Sequence, residues 1–176
     1  MTRYFQTFRL VEPNRTFYDY PRETTVRGRR EKAPKDFEFT VKAHQNISHT
    51  TRMKVEKLGL EAFDCMKQIC KVPDSKILLI QTPGSFSPDK LADAERFLKG
   101  VDREDLVLAW ETRGAAWGTA DAYARLAEVL EELKVGHVTD PFKAMAAYNG
   151  KMAYFRLHGL GKKCIITSTP ISSFKD

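Results

Sequence analysis

The chain has 176 residues, of which 42% are hydrophobic and 30% charged, with a formal net charge of +6. This balance is that of one globular domain with its own core, and it argues against intrinsic disorder. Because the sequence has no run of about 18 apolar residues and no signal-peptide pattern at its start, we expect a soluble protein without a membrane partner.

The excess of basic residues indicates an anionic partner. A pI near 9.2 favours a small anionic or phosphorylated ligand or a nucleic acid, although moderate basicity also promotes solubility. Cys65, Cys70 and Cys164 are odd in number and lack the paired spacing of a zinc site. They predict neither disulfides nor structural zinc, and therefore a reducing, cytoplasmic location.

Short apolar runs alternate along the chain with amphipathic stretches. The runs are rich in β-branched and aromatic residues and predict six strands, at 8–14, 37–44, 76–83, 106–113, 135–140 and 152–159. Three stretches between them predict helices, at 53–71, 87–100 and 119–136. The last two helices have recognised end signals, namely Ser87 with Gly100 and Thr119 with Gly136. The basic run at 26–32 predicts a solvated helix face, the alternative being a nucleic-acid contact.

Alternating strands and helices predict one α/β domain with a mostly parallel sheet. An open doubly wound sheet and a (β/α) barrel are the two competing forms. A dinucleotide-binding sheet would show a glycine-rich phosphate turn after its first strand, and no G-x-G-x-x-G or Walker pattern is present. The ends of the strands favour the barrel.

Polar residues cluster at the carboxyl end of every predicted strand. Four strands end in pairs two residues apart, which share one face of a strand, and two end in single polar residues. These are Glu12 with Asn14, Lys42 with His44, Glu111 with Arg113, Arg156 with His158, and the single residues Gln81 and Asp140. In a barrel such ends converge on one opening, the mouth, where ligand sites are built. The alternative is that Glu111 and Arg113 simply pair with each other.

Five stretches carry a resemblance to a known family. They are VEPNRTFYDYP, APKDFEFTVKAHQNISH, ILLIQTPGSF, LAWETRGAAW and AYFRLHG, in this order between Tyr4 and Gly159. Together they resemble the domain-of-unknown-function 72 family, also called YecE-like proteins. The resemblance implies a TIM-barrel-like fold whose activity is generally unassigned. The matching positions are Glu12, Asn14, Thr16, Phe17, Tyr18, Lys42, His49, Gln81, Pro83, Glu111, Arg113, Trp117, Asp140, Arg156, His158 and Gly159.

The chain departs from the family pattern in length and at its end. A full barrel takes roughly 250 residues, so we expect a single domain over 1–176 with an incomplete TIM-barrel-like fold of about six parallel strands, lacking strands one and eight. The tail at 160–176 loses the resemblance, and we hypothesise a frameshift near 163–172. Open sheet edges need covering, by a homodimer or by the tail.

Three functions follow from these residues. The first is an enzyme for a phosphorylated or nucleic-acid-like substrate at the mouth. Its acid and base residues would be Glu12, Glu111, Asp140 and His158, and its substrate-binding residues Asn14, Tyr18, Lys42, Gln81, Arg113, Trp117 and Arg156. The second is a metal-assisted hydrolase with His158, Asp140, Glu111 and either His49 or His44 as ligands of a divalent metal. The third is a non-catalytic binding or vestigial protein. No particular cofactor is implied.

Overall fold

The computed structural model describes residues 2–159 and contains six strands and five α-helices in that range. The strands are β1 Leu10–Val11, β2 Glu38–Lys42, β3 Ile77–Gln81, β4 Val107–Glu111, β5 Gly136–Thr139 and β6 Tyr154–Phe155. The helices are α1 Thr2–Thr7, α2 Glu23–Lys32, α3 Lys57–Lys71, α4 Leu91–Gly100 and α5 Ala120–Leu133. The predicted tail at 160–176 lies outside the described residues. No helix within 2–159 is both long and apolar enough to cross a membrane.

All six strands form one parallel sheet in chain order, from β1 to β6. The central pair β3 and β4 is in register from Ile77 opposite Val107 to Gln81 opposite Glu111. The sheet curls until its first and last strands approach each other, with Arg156 Nη2 at 2.8 Å from Glu12 Oε1. The prediction of an incomplete TIM-barrel-like fold is thereby confirmed.

Two apolar layers lie on the two faces of the curled sheet. The outer layer packs the sheet against the helices and contains the fully buried Trp110, Phe63 and Phe97. The inner layer lines the inside of the curl and contains Leu79 and Ala109. Because side chains alternate along a strand, the residues two positions after this inner pair also point inward. The carboxyl ends of β3 and β4 therefore bring polar side chains inside.

The helix-end signals are partly confirmed. Thr119 caps α5, since its Oγ1 accepts a hydrogen bond from the backbone nitrogen of Ala122 at 3.3 Å. The prediction that Gly136 ends this helix is wrong. The helix ends at Leu133, and Lys134 takes the left-handed conformation that follows it, with φ of 53°. The reason is that Val135, with 0% exposure, packs into the outer layer, which ends the helix and leaves Gly136 to begin β5.

The end signals of α4 also differ from the prediction. Ser87 precedes a 3₁₀ turn, Pro88–Lys90, and its hydroxyl donates to the Asp89 carboxylate instead of capping a backbone nitrogen. Gly100 is the last helical residue and does not lie beyond the end.

The two edge strands are shorter than predicted, because each pairs with only one neighbour in the sheet.

The loops that follow β3 and β4 meet through two glycines. Gly114, next to Arg113, has φ of 107°, and a β-carbon on it would lie 2.6 Å from the Gly84 carbonyl oxygen. A side chain at this position would strain the backbone and push the loops apart. The close approach thus fixes the start of the loop that carries Arg113.

We predict that Gly114→Ala lowers the free energy of unfolding by about 2 kcal/mol, from positive-φ strain and the contact with Gly84. Gly118→Ala is the matched control, since nothing lies within 4 Å of its β-carbon position. Urea denaturation of both variants measures the difference. Equal stabilities for the two variants would contradict the role of this contact.

Candidate functional site

The carboxylate of Glu111 lies at the centre of the mouth. It is the last residue of β4 and is 4% exposed. Its Oε2 accepts hydrogen bonds from Gln81 Nε2 at 2.6 Å and from the Arg156 guanidinium. Its Oε1 accepts from Arg113 Nε at 3.0 Å and from His158 Nε2 at 2.9 Å. Each carboxylate oxygen therefore has two donors, supplied by Gln81 of β3, by Arg113 after β4, and by Arg156 and His158 after β6.

These partners determine the charge of Glu111. Burial alone would raise the pKa of its carboxyl group, but the charges of Arg156 and Arg113 outweigh burial and hold the pKa below its ordinary value. An ionised carboxylate with four donors is a weak proton acceptor for a ligand. The geometry therefore favours a positioning role for Glu111.

Arg156 links the two edges of the curled sheet. Its guanidinium group bonds Glu111 on one side and Glu12 Oε1, at 2.8 Å, on the other. Glu12 Oε2 also accepts from the Tyr154 hydroxyl at 2.5 Å, and that hydroxyl accepts from Thr40 Oγ1 at 3.1 Å. The arginine side chain is only 15% exposed. A buried network thus spans the inside of the sheet from β1 to β6.

Lys42 is the buried cation that this network does not neutralise. It ends β2 and is 7% exposed, and its Nζ lies 4.2 Å from the centroid of the Phe17 ring. Within residues 2–159 its ammonium group has neither a hydrogen bond nor an ion pair. Burial and then the charge of Arg156 lower the pKa of Lys42. Keeping Lys42 protonated in this buried position therefore costs free energy of folding.

A histidine near Lys42 is affected by the same positive charge. His49 lies in the turn Asn46–Thr50, edge-on to the Phe17 ring. Burial lowers its pKa, and the charges of Lys42 and Arg113 lower it further. The cations of the mouth are those of Lys42, Arg113, Arg156 and Lys143, and the carboxylates are those of Glu12, Glu111 and Asp140, which lies 3.8 Å from Lys143. The mouth therefore carries one surplus positive charge.

Asp140 binds backbone nitrogens, and its Oδ2 also lies 3.8 Å from Lys143 Nζ. Its oxygens accept from the backbone nitrogens of Phe142 at 3.1 Å and His158 at 3.2 Å. It thereby ties the loop after β5 to the chain leaving β6. No group of three or more histidine, cysteine, aspartate or glutamate side chains in the described residues is placed to hold a metal ion. The metal-assisted alternative gains no support from this geometry.

Four other candidates form no hydrogen bond or ion pair with Glu111. His44 stacks on Tyr20 at 4.3 Å and bonds backbone groups. Asn14 and Tyr18 lie on the exposed loop after β1, and Tyr18 is 64% exposed. Trp117 is 6% exposed and donates from Nε1 to the Phe86 carbonyl at 2.8 Å. Asn14 and His44 were expected on the same strand faces as Glu12 and Lys42. Their strands end before them, so the alternation of side chains along a strand no longer applies to them.

A cavity of about 670 Å³ opens beside the network. Its lining includes Glu111, Arg113 and His158 together with Trp117 and Tyr123. This volume lies within the usual range for small-molecule sites. The network therefore has space for a ligand next to its partly exposed members, His158 and Arg113.

Sequence reasoning missed Tyr154 and left the role of Thr16 open. Tyr154 lies in β6 two residues before Arg156, the spacing of one strand face, which is the signal that could have identified it. Thr16 Oγ1 donates to the Lys42 carbonyl at 2.7 Å and so fixes the end of β2. Such a bond between a side chain and a distant backbone atom leaves no pattern in the sequence.

Comparison with known proteins identifies relatives by sequence and by fold. A family model described as "Protein of unknown function DUF72" matches residues 1–170. Two crystal structures of a DUF72 family protein from Enterococcus faecalis V583 are similar in fold. One aligns with TM-score 0.65 and 20% identity over 90% of this chain and 68% of the other, and the second with TM-score 0.67 and 19% identity over 96% and 66%. The chain thus spans about two thirds of that protein's length. No curated protein matches the sequence.

We predict that Glu111→Gln lowers the free energy of unfolding by about 3 kcal/mol at pH 7, because the largely buried guanidinium group of Arg156 and the half-exposed one of Arg113 lose a counter-charge. The lowered pKa of Glu111 sets the pH dependence. Its stabilisation is complete above the ordinary glutamate pKa of about 4.3 and is lost as pH falls through the lower folded value. Denaturation at a series of pH values should show the two proteins converging in acid.

Glu61→Gln is the matched control, since that side chain is 61% exposed. It should change stability by less than about 0.5 kcal/mol at every pH. A deficit for Glu111→Gln that persists unchanged at pH 3 would contradict the assigned charge of Glu111.

Proposed function

The chain belongs to the DUF72 family of proteins of unknown function. For this member we propose that the mouth of the curled sheet binds a small anionic ligand through a phosphate or carboxylate group. The family description names no activity, so the proposal depends on the chemistry of the site. The surplus positive charge around Lys42, Arg113 and Arg156 supports it.

One observation carries the proposal: the ammonium group of Lys42 is buried and has no ion pair or hydrogen bond in the part of the chain that the structure describes. Removing a charge from water without a counter-charge costs several kcal/mol. The ring of Phe17 offsets part of that cost through a cation–π contact of about 1 kcal/mol, but it supplies no negative charge. A bound phosphate or carboxylate would supply that charge.

Arg113 is the second group that suits an anion. Its side chain is 43% exposed, and its Nε is occupied by Glu111. Its Nη2 lies 3.4 Å from His158 Nε2, and its Nη1 has no hydrogen bond within residues 2–159. A guanidinium group that is held at Nε still has terminal N–H groups available to bind an anion. Arg156, by contrast, is occupied on both sides by carboxylates.

His158 suits proton transfer to a bound ligand. Its Nε2 is held by the Glu111 carboxylate, which accepts only and so fixes a proton on that nitrogen. The side chain is 29% exposed and lines the cavity. A carboxylate that orients an imidazole in this way is the usual arrangement around a catalytic histidine. A phosphate-ester-directed or hydrolytic enzyme would use His158 as its acid and base, with Glu111 as a positioning residue.

The non-catalytic alternative needs Lys42 and Arg113 but not His158. Both functions favour a small ligand over a nucleic-acid chain, because Lys42 is buried whereas backbone phosphates are met by exposed basic groups. Acid and base roles for Glu12 and Asp140 have less support, because their oxygens are occupied by Arg156 and Tyr154 and by backbone nitrogens.

We predict that Lys42→Met weakens the binding of inorganic phosphate by at least about tenfold, since one charge-assisted contact contributes roughly 1.5 to 3 kcal/mol. The same variant should be more stable than the wild type by about 1 kcal/mol without ligand, because the uncompensated charge is gone. Calorimetric titration measures the first effect and urea denaturation the second.

Lys54→Met is the matched control. Lys54 is exposed and forms no ion pair in the described part of the chain, so its loss changes net charge equally without touching the mouth. Unchanged phosphate affinity in Lys42→Met, or no phosphate binding by the wild type, would overturn the proposal.

A further inference from the structure

The face of α2 that meets the rest of the molecule is basic instead of apolar. Arg22, at the start of the helix, is followed by Thr25, Val26 and Arg29, which are the spacings of one helix face. A helix that packs on a sheet normally carries apolar residues at these positions. Here Val26 is the only apolar member, and no residue of α2 is buried.

A cleft of about 590 Å³ lies next to this face of α2. Its floor is apolar and is formed by Phe39 and Val41 of β2, by Ile69 of α3 and by Pro73, which follows α3. The loop after β1 adds further lining with Tyr20. The cleft is thus separate from the cavity beside Glu111, which shares none of these residues.

The arginines of α2 divide into an occupied pair and a free pair. Arg27 pairs with Glu23 one turn away, and Arg30 donates to the Phe37 carbonyl at 2.6 Å. Arg22 and Arg29 line the cleft, and their guanidinium groups have no hydrogen bond or ion pair with any residue in 2–159. The free guanidinium groups are therefore the ones that line the apolar cleft.

A third arginine at the cleft already has a partner. Arg15 Nε lies 3.7 Å from Asp19 Oδ2, and both residues are lining residues. Asp19 is the one carboxylate in the lining, against three guanidinium groups. The cleft therefore combines surplus positive charge with an apolar floor.

We propose that this cleft binds an amphipathic organic carboxylate. The hydrocarbon part of the ligand packs on Phe39, Val41 and Ile69, and its carboxylate is held by Arg22 and Arg29. The planar fork of a guanidinium group matches a carboxylate through two parallel hydrogen bonds. Both side chains have long flexible stems and line the same cleft, so both can approach one head group. The site is distinct from the mouth and does not depend on its proposed ligand.

Decanoate is a suitable probe, with decanol as its uncharged counterpart. Calorimetric titration of the full chain should show that decanoate binds at least about tenfold more tightly than decanol, the expected effect of one charge-assisted pair. Arg29→Gln should weaken decanoate binding by a similar factor. Arg27→Gln removes the same charge from the same helix outside the cleft and should leave the affinity unchanged.

A second variant tests the location of the site without removing charge. Val26→Trp places a large ring into the cleft from an incompletely buried position of α2 and should abolish decanoate binding. Phosphate binding at the mouth should remain as in the wild type, so the two sites are tested separately. The inference is overturned if decanoate does not bind, if decanol binds equally well, or if decanoate binding survives both Arg29→Gln and Val26→Trp.

Discussion

The buried carboxylate of Glu111 is the interaction on which the arrangement of the mouth depends. A carboxylate in the interior remains charged only if donors surround it. This one obtains four, from Gln81, Arg113, Arg156 and His158. These side chains come from different strands and loops, so satisfying one charge fixes the relative positions of β3, β4 and β6.

Arg156 extends this constraint to the shape of the sheet. One guanidinium group bonds Glu111 near the centre and Glu12 beyond the first strand, while Tyr154 reaches the same Glu12. Such buried pairs are weak evidence for net stability, but leaving one unpaired is costly. The curl of six strands is therefore accompanied by specific polar contacts across its inner face. The same arrangement leaves the Lys42 ammonium group without an ion pair among residues 2–159, and this connects the fold to the proposed ligand.

The sequence predicted most of the fold and most members of the polar network, but not Tyr154 or Thr40. Strand and helix alternation and the apolar runs were sufficient for a parallel sheet, and the two-residue spacing correctly paired Glu111 with Arg113. It was wrong for His44, because β2 ends at Lys42 and the chain turns before the histidine. The contact between Glu12 and Arg156 joins residues 144 apart in sequence, and it depends on the curvature of the sheet. Arg29, whose guanidinium group has no partner among residues 2–159, was likewise hidden in the basic run at 26–32, which a solvated helix would also show.

The measurement that tests this account most directly is the titration of the Lys42 ammonium group by NMR. Selective labelling of lysine, with Lys42→Met to assign the signal, gives its pKa in the free protein. The account predicts a value below the ordinary lysine pKa, because burial and Arg156 disfavour the charged form, and a rise when phosphate is added. A value at or above the ordinary lysine pKa, with no change on adding phosphate, would contradict the account, since the ammonium group would then already have its counter-charge.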